Sequence, residues 1–95
     1  MENNDNVKLK INDSRKVNLR YSCLLIIDEM IKRMYCDNVL KIMQKQGYSI
    51  EKDDVDEAKK STKIKLMERY LDGKNTKELT GAKSELLKAL DVLDI

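Results

Sequence analysis

Apolar positions from Asn18 to Gly47 recur at steps of three and four. Tyr21, Leu24, Leu25, Ile27, Ile31, Met34, Tyr35, Leu40, Ile42 and Met43 form the series, and Asp28, Glu29, Lys32, Arg33 and Asp37 fall mostly between them. This is the periodicity of an amphipathic helix. Nothing in the stretch breaks a helix until Gly47, which suits a left-handed C-cap. One unbroken helix here would be about 40 Å long, more than a chain this small can cover. Leu24 to Ile27 is apolar on every side. The pattern therefore implies a partner subunit.

The flanks carry weaker patterns. Val7, Leu9 and Ile11 alternate with Lys8 and Lys10, which reads as a short strand or as an irregular or short helical arm. Asn18 is the preferred cap of the long helix, with Asn12, Asp13 and Ser14 as alternatives. After an extended Tyr48-Ser49-Ile50, Glu51 to Asp53 open another helix. Val55, Ala58, Thr62 and Leu66 mark its face, a bend or reset is expected near Ser61-Thr62, and Asp72-Gly73 ends it. Asn75 or Thr76 caps a last helix, in which Leu79, Ala82, Leu86, Leu90 and Leu93 approach a heptad seam. Folding back onto its own chain and joining a second dimer are both open to this helix, and the seam favours joining.

Composition narrows the class. There is no Pro, Phe or Trp, and the 95 residues include only three Gly and four Tyr, against a charged fraction of 38%. A turn-rich β fold is disfavoured, and the expected class is all-α. Cys23 and Cys36 lie about 20 Å apart on one helix and cannot pair. Without His or a Cys-x-x-Cys pair, no zinc site is expected. No catalytic constellation or phosphate loop is present, so the expected protein is not an enzyme and takes no cofactor, metal or small-molecule substrate. No apolar run or leader suggests a membrane, and the expected location is intracellular.

Net charge is only +2, but it is unevenly placed. Residues 51–57 hold five acidic residues against Lys52, and Lys59, Lys60, Lys63, Lys65 and Arg69 follow. A basic run of this kind can touch phosphate. It equally suits a helix whose acidic first turn and basic later turns complement its dipole.

A long helix, a short extended loop and an acidic-started helix together resemble the histone fold, and archaeal histones in particular. Arg20 stands where that family has an Arg early in the long helix. Gly47-Tyr48-Ser49-Ile50-Glu51-Lys52-Asp53-Asp54-Val55 resembles the family's second loop, with Ser-Ile for Thr-Ile and Asp-Val for Asp-Ile at the same spacing. The likeness covers roughly residues 17–62. It departs from the family where the loop's Arg-Lys pair is missing. Glu51 replaces the basic residue that pairs with the Asp matched here by Asp54. Eukaryotic histone-fold subunits also keep the fold while changing their loops.

The resemblance implies an arm or short first helix at 1–16, a histone-fold core at 17–72 and a carboxy-terminal helical extension at 73–95. It implies a handshake homodimer through Leu24, Leu25, Ile27, Ile31 and Met34. Leu79, Leu86, Leu90 and Leu93 would join dimers into tetramers that bridge DNA. Lys16, Arg20, Ser49, Lys52, Lys59 and Lys63 would meet duplex DNA without sequence preference, in the cytoplasm on a nucleoid or chromosome. The competing expectation is a protein-interaction subunit that pairs with another histone-fold chain and hardly touches DNA. A small helical inhibitor or regulator is a third.

Overall fold

The computed structural model describes the backbone of residues 4–93 and the side chains of residues 14–93. The chain forms α1 (Asn4–Met34), α2 (Asp37–Lys45), α3 (Lys52–Tyr70) and α4 (Thr76–Val92). The protein is all-α, with no strand among the described residues. The alternating Val7 to Ile11 segment is helical, and α1 runs through Asn18 without a cap.

The long helix differs from the sequence expectation at its other end as well. It stops at Met34 and restarts at Asp37, with Cys36 extended at φ −72° and ψ 161°. The physical reason lies in the phase of the apolar positions. Continuing the buried face of α1 from Met34 by steps of four, three and four lands on Asn38, Lys41 and Lys45, all exposed. The apolar face of α2, with Val39, Leu40, Ile42 and Met43, points the opposite way in register. A straight helix would aim one of the two faces into water. The break re-aims α2, and the charges agree with it. Lys32 and Arg33 close α1 and Asp37 opens α2, as the two helix dipoles prefer.

Glycine then ends α2. Gly47 has φ +96°, its N–H donates to Gln44 O at 3.1 Å, and the Tyr48 N–H donates to Met43 O at 3.2 Å. That pair of bonds is a Schellman closure, which needs the left-handed residue. α3 runs without interruption through Ser61 and Thr62, so no reset divides it there. Asn75 caps α4 with a capping box. Its Oδ1 accepts from Glu78 N–H at 2.8 Å while its own N–H donates to Glu78 Oε1 at 3.1 Å.

The core sits where the second half of α1 meets α4, with α3 alongside. Cys23, Ile26, Ile27, Met30 and Ile31 from α1 bury against Leu71, Leu79 and Leu86. α4 runs parallel to α1: the Cys23 thiol donates to Leu79 O at 3.8 Å and Arg33 Nη1 donates to Leu90 O at 3.0 Å. α3 runs antiparallel, as Arg20–Asp72, Asp28–Lys63 and Tyr35–Thr62 show. The last turn of α4 has no basic residue, so Arg33 brings positive charge to its carbonyl end from α1. α4 folds back along α1 within this chain, the alternative that its seam spacing did not favour. Leu79 and Leu86 keep 1% and 0% of their exposure there. Leu90 and Leu93 are half-buried against the same core.

The molecule is elongated, 65 × 25 × 17 Å, with a radius of gyration of 17.7 Å. A compact chain of this length would have about 12 Å. The side chains of α1 that meet the core begin at Leu19, and Ser14 to Asn18 before it are exposed.

Candidate functional site

The residues expected at DNA divide between the two ends of α3. Arg20 lies near the carboxy-terminal end, with Nη2 4.0 Å from Asp72 Oδ1, and exposed Lys16 is one helical turn away on α1. Ser49 and Lys52 are exposed at the opposite end, where the loop enters α3. The 19 residues of α3 separate these ends by about 28 Å. One chain does not bring the two groups together. Lys59 is half-buried, and Lys63 is paired with Asp28 at 2.8 Å. Lys8 and Lys10 have side chains outside the described residues.

The acidic stretch at residues 51–57 opens α3, with Asp53 and Asp54 in its first turn. Their charge faces the positive end of the helix dipole. Among the described residues, no three His, Cys, Asp or Glu side chains gather in a way that could hold a metal ion. No described helix is long and apolar enough to cross a membrane.

The expected dimer residues also separate. Ile27 and Ile31 are covered by their own chain, at 0% and 7% exposure, and Leu24 and Met34 are half-buried. Leu25 alone is open, at 51%. It belongs to a second apolar face of α1 with Tyr21 at 61% and Val17 at 63%. These three stand at i, i+4 and i+8, on one stripe roughly opposite Cys23 and Met30. Pooling the apolar positions of this helix into a single face hides the stripe. Counting them by angle around the helix reveals it, and adds Val17.

A smaller apolar surface lies at the far end. Tyr35, Leu40, Met43, Ile50, Val55 and Ala58 line a shallow cleft of about 150 Å³ between α2 and the start of α3. Ile42 and Tyr48 beside it are more than half exposed. Cys23 is buried, and burial pushes its thiol pKa up, partly opposed by the Lys83 charge. Such a thiol is poorly suited to nucleophilic work. No family model, curated protein or solved structure matches this chain.

Proposed function

We propose that this chain is a non-enzymatic helical assembly subunit that works with α1 held between its own bundle and a partner chain. The observation that carries this reading is the two-sided apolar character of α1. One side is closed by α4 and α3, and the other presents Val17, Tyr21 and Leu25 to water. A bare stripe of this kind costs solubility unless something covers it. The test is the size of the native protein in an extract of its source cells. The wild type should elute well above 11.1 kDa. A Val17→Asp, Tyr21→Asp, Leu25→Asp chain should elute as a monomer. Equal monomeric elution of both would end the reading.

Histone-like binding of duplex DNA is the second reading. It is favoured by the resemblance of the 47–55 loop, which opens α3 with its N–H groups pointing outward, and by exposed Arg15 and Lys16 on α1. In a head-to-tail dimer, the Arg20 end of one chain would lie near the Ser49 loop of the other, joining groups that a single chain keeps apart. A histone handshake would ask for more. Tyr35 and Cys36 would have to straighten into one helix, and α4 would have to leave Ile27 and Ile31 for the partner. A mobility shift at two salt concentrations tests the reading. Binding should be independent of sequence and weaken steeply with salt, by about 0.9 log units per contacted phosphate for each log unit of salt. Arg20→Ala and Lys52→Ala should weaken it on unrelated duplexes alike. No shift at low salt removes this reading and leaves the first.

A further inference from the structure

We infer that the partner on the α1 stripe is a second copy of this chain, paired antiparallel about a two-fold axis at Tyr21. The inference rests on the assembly reading above and supplies its occupant and register. The stripe is symmetric in kind about its centre. A two-fold axis at Tyr21 sets Val17 against the partner's Leu25, Leu25 against the partner's Val17, and the two Tyr21 rings together. This is the self-complementary patch that a two-fold dimer requires. All three side chains are more than half exposed in the single chain, so pairing them disturbs no contact of the core.

Charge selects the direction. From Asn4 to Arg20, α1 carries five basic residues against Asp5 and Asp13. The opposite end of the molecule, residues 35–60, carries Glu51, Asp53, Asp54, Asp56 and Glu57 clustered at the start of α3, with Asp37, against Lys41, Lys45, Lys52, Lys59 and Lys60. An antiparallel pair runs the basic half of each α1 toward the acidic start of α3 in the other chain. A parallel pair would stack basic half on basic half. The lengths agree. Asn4 is about 26 Å from Tyr21 along the helix, and Tyr35, at the edge of the α2–α3 cleft, is about 21 Å from it in the other direction. The amino-terminal half of α1 therefore reaches along the partner as far as the level of the start of α3.

Sedimentation and cross-linking of the purified full chain test this. The wild type should be a dimer at micromolar concentration. Tyr21→Glu should raise the dissociation constant at least about tenfold while helicity is unchanged, and Leu25→Lys serves if the first variant loses helicity. Register is read in a Cys36→Ser background, with Cys23 left buried. Tyr21→Cys should cross-link to itself on mild oxidation. Val17→Cys and Leu25→Cys should cross-link when mixed and not alone. A purified monomer with full helicity overturns the inference, as does a dimer indifferent to both stripe substitutions. Self-linking of Val17→Cys and of Leu25→Cys also overturns it, because it marks a parallel pair. A purified monomer that still elutes in a large species from the extract leaves the assembly reading standing with a different partner.

Discussion

Between Leu19 and Tyr35, α1 meets α4 and α3, and Ile27, Cys23, Leu71, Leu79 and Leu86 lose nearly all contact with water. α2 is nine residues with Val39, Leu40, Ile42 and Met43 on one face, yet it buries none of them. Both segments have the pattern of a packed helix. They differ in what the rest of the chain supplies opposite them. α4 is long enough to lie along α1 and brings Leu79, Ala82 and Leu86 in register, whereas α2 finds only the first turns of α3. Amphipathicity thus states a demand for a neighbour and says nothing about whether the same chain provides one.

The largest expected effect separates these two regions directly. Leu86→Ala should destabilise the fold by about 2–5 kcal/mol, because it empties a site with no exposure. Ile42→Ala, at 56% exposure, should change stability by less than about 0.5 kcal/mol. Urea unfolding followed by circular dichroism measures both, and equal losses would mean that α2 belongs to the same cooperative core. For the same reason, a chain ending before Lys74 should fail to fold, since it lacks the helix that covers Ile27 and Ile31.

A middle-sized effect concerns the start of α4. Asn75→Ala removes the Oδ1 that accepts from Glu78 and should cost about 1 kcal/mol. Faster amide exchange should appear in the first turn of α4 and leave that of α2 unchanged. Exchange that rose equally in both helices would show the two regions coupled.

The smallest effect is chemical. Half-exposed Cys36, between the regions, should be alkylated in the native protein, while Cys23 should react only on unfolding. Burial raises the folded pKa of Cys23 above its ordinary 9.0, so the protonated thiol favours the folded state. This contribution is fully present below pH 9.0 and is lost as pH rises through the raised folded value. Cys23→Ala should flatten that part of the alkaline stability profile. Equal labelling of both thiols would place Cys23 outside a closed core.

Much of this architecture is legible in the residues. Gly47 marked the end of α2, Asn75 stood among the caps of α4, and Leu79, Ala82 and Leu86 marked its buried face. Each signal is local, carried by one residue's backbone freedom or by spacing within one helix. The break at Tyr35-Cys36 is hard to read because neither Gly nor Pro makes it. Its signals were the change from Lys32-Arg33 to Asp37 and the polar landing of the α1 face on Asn38, Lys41 and Lys45. The fold-back of α4 is hidden because the heptad-like spacing of its leucines tilts the reading toward a neighbour outside the chain. Tyr21 and Leu25 were visible as apolar positions. That their face stays bare depends on how much of α1 the other helices can reach, which is a property of the assembled bundle.

The parallel lie of α1 and α4 has a consequence for the order of events during synthesis. The contacts that close the core, from Cys23 to Leu79 and from Arg33 to Leu90, span 56 and 57 residues. Neighbouring helices of a hairpin bundle can dock as each leaves the ribosome. Here α1 is made before α3 and α4; α3 covers one flank of its buried face, and the rest waits until α4 arrives. Loop closure over that span delays the step in which Ile27 leaves water. The nascent chain therefore shows both faces of α1 at once until α4 is made, and that interval is when a chaperone has most to hold or a neighbouring nascent copy most to meet.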